Sequence, residues 1–259
     1  MPGSNIDDLF AQALQGGYDS DEGWQAVSTL QGIGTREIFE KAAGFCDSNE
    51  PLKRARGAAI LGQLGKTSQN PVPLFSNESF KVLTGMLESE TNPIPLSAVI
   101  AALGHLGNAS TIPMILPFSY HPDPDVRLDL AFALGCFAND KRTVTTLLKL
   151  MTDQDSDVRD WSTFGLGVLG DFDSRDIRDA LFRNLKDSDE DVREEAMVGL
   201  AKRKDLRSLP EVMNALQSEN LSPRAIDAAN LLLERDTDRC EKPSACLEEL
   251  RGRFREKAE

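Results

Sequence analysis

The residues able to carry chemistry are few and scattered. Two histidines, His105 and His121, stand apart, and neither is followed by the glutamate that a di-iron His-Glu pair needs. Aspartates recur at alternate positions in two runs, 153/155/157 and 187/189/191, the spacing with which a calcium loop begins. Such a loop next needs glycine at its sixth position and a bidentate glutamate at its twelfth. Those places hold Val158 and Phe164 in one run and Val192 and Val198 in the other, so the aspartates read as helix caps. Cys240 and Cys246 are near in sequence, but zinc sites usually show a tighter pair and a second pair elsewhere. Cys46 and Cys136 fall in predicted helices with no associated histidine. No phosphate-binding glycine loop, Gly-x-Ser-x-Gly elbow or His-Glu-x-x-His motif occurs. Recognition is therefore the expected chemistry: the chain reads as a non-enzyme, with no catalytic residue, no metal and no cofactor implied.

The elements that would present a recognition surface are set by an internal repeat. The tripeptide Asp-Val-Arg occurs at Asp125-Val126-Arg127, Asp157-Val158-Arg159 and Asp191-Val192-Arg193, with the arginines 32 and 34 residues apart. Seven positions after each arginine stands a leucine: Leu134, Leu166 and Leu200. The same frame extends to Arg54 with Leu61, Leu96 with Leu103, and Arg224 with Leu231. Numbering each frame from the arginine position, or from Leu96 where leucine replaces it, apolar or small residues recur at offsets −1, 3, 4, 7 and 8. That is one stripe of a 3.6-residue period. Asp123, Asp155 and Asp189 precede the arginines by four, where a carboxylate caps the first free amides for ~1 kcal/mol each. The residues Asp125, Arg127, Asp157, Arg159, Asp191 and Arg193 are expected to form a carboxylate–arginine ladder between neighbouring repeats. Offset eight is Gly62, Gly104, Gly135, Gly167 or Ala201 in five frames and Leu232 in the sixth. Glycine inside a helix costs ~1 kcal/mol relative to alanine, so its recurrence implies helices that cross too closely for a larger side chain. Gly65, Gly107 and Gly170 fall where left-handed C-caps belong.

A second periodic set lies between these helices, at 78–88, 111–120, 142–152, 175–186 and 206–217. Alternating, strand-like patterns are nowhere sustained, so the fold class is all-α: an α-solenoid of antiparallel helix pairs, expected to coil as a right-handed superhelix. Further helices are expected at about 4–14, 21–31, 35–46 and 244–257. The expected organisation is a single domain over 1–259, with an N-terminal cap over about 1–21, repeats over 22–235 and a C-terminal capping helix within 236–259.

Composition bounds the partners. Of the 259 residues, 40% are hydrophobic and 27% charged, the balance of an ordered protein. Acidic residues outnumber basic ones 42 to 29, a net charge of −13, which argues against a nonspecific grip on nucleic acid or anionic lipid. Nine acidic residues against two basic ones lie in the first fifty. No run is long enough to span a membrane and the first residues lack signal-peptide features, so a cytoplasmic protein with its cysteines as thiols is expected.

The pattern Asp-x-Asp-Val-Arg-x-x-Ala-x-x-x-Leu-Gly-x-Leu-Gly, present in parts at 123–138, 155–170 and 189–204, resembles the HEAT-like repeats of the phycobilisome-lyase (PBS lyase) family over about residues 22–235. The resemblance implies the solenoid fold. It leaves activity open, because that family spans scaffolds, adaptors, bilin-lyase subunits, a di-iron hydroxylase and related DNA-repair glycosylases.

A solenoid binds with its inner face, here the edge carrying offsets 2, 5 and 9. Phe132 and Phe164 share offset 5 in successive frames, and Trp161, Val168 and Val198 lie on the same edge. The expectation is an apolar concave patch of Phe132, Trp161, Phe164, Val168 and Val198 that binds a partner protein or peptide. The leading function is a scaffold or adaptor. A bilin-lyase-like subunit or chaperone is the alternative, and a DNA-glycosylase-like solenoid is a third, disfavoured by charge. The oligomeric state is left open.

Overall fold

Apolar stripes of helical period must be covered by other helices, and the computed structural model satisfies them with fifteen α-helices and no strand among the described residues, 5–235 and 237–255. The sequence predicts one domain; the packing divides into two compact units, with the boundary between Phe137 and Ala138. The first contains α1 (Ile6–Gln12), α2 (Asp21–Ile33), α3 (Arg36–Cys46), α4 (Pro51–Gln63), α5 (Ser76–Ser89), α6 (Pro93–Leu106), α7 (Ile112–Ile115) and α8 (Pro124–Gly135). The second contains α9 (Lys141–Leu150), α10 (Ser156–Thr163), α11 (Arg175–Asn184), α12 (Glu190–Lys202), α13 (Leu209–Ala215), α14 (Pro223–Leu233) and α15 (Pro243–Arg253). The helix expected over 111–120 is broken into α7 and flanking 3-10 turns, because Pro113 and Pro117 have no amide to donate. Residues 1–4 of the expected N-terminal cap, and residues 236 and 256–259 of the C-terminal region, lie outside the described residues.

The repeat frame predicts the core. In the frame of Arg193, Val192, Ala196, Met197, Leu200 and Ala201 are all buried, and the equivalent positions around Arg127 and Arg159 are buried as well. Offset eight is the point of closest approach. A Cβ on Gly62 would stand 2.8 Å from the Cα of Ala102, and one on Gly104 would stand 2.8 Å from the Cα of Ala133. In the second unit the same two offsets meet as Gly167 and Gly199, where a Cβ on Gly199 would stand 2.9 Å from the Cα of Gly167. In each pair offset eight of one repeat abuts offset six of the next.

Asp123, Asp155 and Asp189 are the N-caps of α8, α10 and α12, each accepting from amides of the first turn. The arginines do something the sequence reading misses. The Nη1 groups of Arg127, Arg159 and Arg193 each donate to the carbonyls six and five residues upstream, at 2.8–3.1 Å. Each arginine thus ties the preceding loop onto its own helix. The carboxylate that pairs with Arg159 is Asp187, bound through Nε and Nη2 at 2.7 Å each. Arg54 grips Glu90 through the same two nitrogens, at 2.6 and 3.1 Å. Asp187 and Glu90 both stand six residues before the next repeat's reference position. The expected ladder is therefore corrected: its acidic rung is offset −6, whereas Asp125, Asp157 and Asp191 are first-turn residues exposed at the helix start, favourably placed for the helix dipole.

Two further expectations change. Gly65 and Gly107 are left-handed, both at φ +69°, but Gly170 is extended. It follows a π-helical turn, Phe164–Leu169, closed by the Gly170 amide on the Gly165 carbonyl at 2.9 Å. Buried Arg203 takes up the carbonyls this turn leaves, bonding to those of Leu166, Gly167, Gly170 and Phe172 as well as Gly199. Cys240 and Cys246, expected as thiols, form a disulfide with Cα atoms 5.6 Å apart, while Cys46 and Cys136 remain free. The two residues lie on either side of the α15 N-terminus, which brings their side chains together. No described helix is long and apolar enough to cross a membrane.

Candidate functional site

In the second unit, α10 and the π-helical turn bring Trp161 and Phe164 to one edge. Their rings meet edge to face at 5.9 Å and 87°. Trp161 is 37% exposed, and Phe164 and Val168 are half-buried. The neighbouring α12 places Glu195 beside them, and α14 places Arg224. Arg224 Nη2 donates to Glu195 Oε1 at 2.5 Å, and its guanidinium lies 5.5 Å from the Phe164 ring centre. Glu195 is 8% exposed. Its second oxygen, Oε2, is buried with no hydrogen-bond partner, and so is Oδ1 of Asp160, the residue before Trp161.

Burial pushes the Glu195 carboxyl up to about 7; Arg224 pulls it down, and Asp160 adds to the rise. Burial likewise pushes Asp160 up to about 6, reinforced by Asp191, Asp189 and Asp157 and opposed by Arg224. Two acids of one cluster are thus held between neutral and ionised near physiological pH, with a single guanidinium to balance them.

The predicted patch is only partly assembled. Trp161 and Phe164 are together as expected. Val198, at 4% exposure, is packed inside and offers no surface, because the side chains at offset 5 of α12 are covered by neighbouring helices. Val168 is half-buried, and its carbonyl accepts from Lys202 Nζ at 2.7 Å. Phe132 belongs to the first unit, half-buried on α8 with its ring 4.8 Å from that of His105 on α6. Burial, with Lys66 nearby, lowers His105 to about 4, so it is neutral at pH 7.

Asp129 and Arg56 stand at offset 2 of their frames, in surroundings the repeat does not reveal. Asp129 is bonded by the Ser97 hydroxyl, and burial raises its carboxyl to about 6. Arg56 is completely buried, its guanidinium over Trp24 at 4.3 Å and near Tyr18 at 5.4 Å. Its Nη2 donates to the carbonyls of Gly17 and Tyr18. The segment before α2 folds over this arginine, a contact that the repeat pattern does not signal. Among the described residues no group of three or more His, Cys, Asp or Glu side chains is placed to hold a metal.

Residues 80–167 and 166–232 match the HEAT repeats family. The chain belongs to the HEAT-repeat family. The matched ranges contain five of the six frames, from Leu96 to Leu232, and therefore the whole Asp160–Arg224 cluster. Protein YibA of Escherichia coli (strain K12) is 29% identical over 234 residues, 88% of this chain and 80% of YibA. The X-ray structure of YibA superposes with a TM-score of 0.70 at 26% identity, covering 96% of this chain and 93% of that one. A shorter stretch of 76 residues is 36% identical to phycocyanobilin lyase subunit alpha of Thermosynechococcus vestitus, 29% of this chain and 28% of that protein. The HEAT frame explains why Trp161 and Phe164 share an edge: offsets 2 and 5 lie about one turn apart on the same helix, away from the stripe at 3, 4, 7 and 8.

Proposed function

We propose that this HEAT-repeat protein is a non-enzymatic scaffold or adaptor that holds a partner protein or peptide against the edge carrying offsets 2 and 5, with Trp161 and Phe164 as the anchor. The observation that carries the reading is the exposed Trp161 ring set edge to face against Phe164 at positions the repeat does not need for its core. A large aromatic left at the surface forgoes ~1.5–3 kcal/mol of burial, and binding hot spots are enriched in tryptophan. Phe132, at offset 5 on the first unit, is a further proposed contact. A bilin-lyase-like subunit or chaperone is the alternative, supported by the stretch related to a protein named as a lyase subunit; quenching of Trp161 fluorescence by added bilin would favour it. Nucleic acid is disfavoured as a partner by the net charge of −13 and by the acids around Trp161.

Affinity capture from the native cell, comparing the wild-type chain with Trp161→Ala/Phe164→Ala, tests the scaffold reading. The double variant is expected to lose the bound protein while keeping its helical circular dichroism. Retention of the same bound proteins would overturn the reading.

A further inference from the structure

Arg193 holds the loop before its own helix as Arg159 does, through Nη1 to the carbonyls of Asp187 and Ser188 at 2.8 and 2.9 Å. Its other donors, on Nε and Nη2, have no partner among the described residues. In Arg54 and Arg159 those two nitrogens seat the carboxylates of Glu90 and Asp187. The residue that stands in the same place for Arg193 is Ser218. Asp187 lies two residues after Leu185, the C-cap of α11, and Ser218 two residues after Leu216, the C-cap of α13. The Asp187 amide donates to the carbonyl of Asn184 at 3.1 Å, and the Ser218 amide to that of Ala215 at 3.2 Å. Each side chain then accepts from the amide two residues on, that of Asp189 in one case and of Asn220 in the other. The turn is the same, but a hydroxyl on Cβ has neither the reach nor the charge of a carboxylate. The guanidinium fork is left set and unfilled.

Arg193 and Ser218 line one cavity of about 330 Å³. Arg193 is half-buried and Ser218 exposed, and neither Nε nor Nη2 of Arg193 is sealed from solvent, so a group from outside can reach the fork. Glu190, Glu194 and Glu211 line the same cavity. Three acids around one guanidinium repel a bare anion, so whatever fills the fork must bring positive charge beside it. We propose that this cavity binds the side-chain carboxylate of an aspartate or glutamate carried by a partner segment that also bears basic residues. The carboxylate seats on Nε and Nη2 of Arg193, as Asp187 does on Arg159, and the neighbouring cations face Glu190, Glu194 and Glu211. The occupant thus supplies the acidic rung that Ser218 leaves vacant. A bidentate pair of this kind is directional and charge-dependent, so the fork distinguishes an acid from its amide while the glutamates reject polyanions. The site uses offsets 0 and −6 of the frame and does not depend on the Trp161 edge at offsets 2 and 5.

The test uses the full chain, with the Nε–H of Arg193 followed by NMR during titration with the capped peptides N-acetyl-Lys-Glu-Lys amide, N-acetyl-Lys-Gln-Lys amide and N-acetyl-Glu-Glu-Glu amide. The first is expected to shift the signal saturably and the other two to bind at least about tenfold more weakly. Ser218→Asp supplies the missing carboxylate from within the chain, and is expected to raise the thermal midpoint and abolish binding of the Lys-Glu-Lys peptide. Equal binding of the glutamate and glutamine peptides, equal binding of the triglutamate, or wild-type binding by Ser218→Asp would overturn the proposal. If that variant does not fold, the peptide comparison on the wild-type chain decides alone. Trp161→Ala/Phe164→Ala is expected to bind the Lys-Glu-Lys peptide as the wild type does; loss of binding there would assign the peptide to the docking edge and overturn the separate site.

Discussion

At the scale of single residues, one arginine can serve two neighbours. Arg159 bonds the loop before its own helix through Nη1 and the carboxylate of Asp187 through Nε and Nη2, with both side chains of the pair largely buried. Removing one partner of such a pair strands the other. Arg159→Ala is therefore expected to cost about 2–4 kcal/mol of unfolding free energy, whereas Asp157→Ala, which removes an exposed first-turn carboxylate, should cost under about 1 kcal/mol. Urea denaturation of both variants checks this, and equal losses would contradict the assignment of offset −6 as the acidic rung. The same pair sets a pH signature. Arg159 holds the Asp187 carboxyl below the usual range, so its contribution is complete above the unfolded value near ~4 and is lost as the pH falls through the folded value. The arginine was visible in the sequence as a repeated letter; its carboxylate was not, because the eye is drawn to the adjacent Asp157 while the true partner stands 28 residues on, in the next repeat.

At the scale of elements, the periodic stripe fixed the helices and the small residues fixed how closely they cross. Gly104 faces the backbone of Ala133 with no room for a methyl group, whereas Gly85, in α5, has open space around its Cα. Gly104→Ala is expected to destabilise the fold despite alanine's better helix propensity, and Gly85→Ala to stabilise it by about 0.5–1 kcal/mol. Opposite shifts in thermal midpoint would bear this out; shifts of the same sign would contradict the close-crossing account. The frame foresaw that contact because the period alone places offset eight on the crossing. It could not foresee the π-helical turn at Phe164–Leu169, since its sequence, Phe-Gly-Leu-Gly-Val-Leu, fits an α-helix equally well. What selects the wider turn in the fold is tertiary: Arg203, on the neighbouring helix, collects the carbonyls at its end. Turns of this kind often coincide with functional sites, and this one carries Phe164 and Val168.

At the scale of the whole molecule, the net charge of −13 separates into parts with different work. Asp123, Asp155 and Asp189 cap helices, Asp187 and Glu90 hold arginines, and the excess in the first fifty residues is largely solvent-facing. Asp160 and Glu195 belong to none of these groups: they are acids at the one edge that also presents an exposed tryptophan, and that coincidence links the fold to the proposed function. Exposure of a single side chain depends on every helix packed near it, so the row at offsets 2 and 5 could be drawn from the repeat while the burial of Val198 and the exposure of Trp161 could not. The central claim is that a protein partner docks at Trp161. Its most direct test is photo-cross-linking in the native cell with a benzophenone amino acid in place of Trp161, against a control in place of Arg175, whose side chain is 93% exposed on α11. The account predicts a discrete protein adduct from position 161 and none from position 175; no adduct from 161, or the same adducts from both positions, would contradict it.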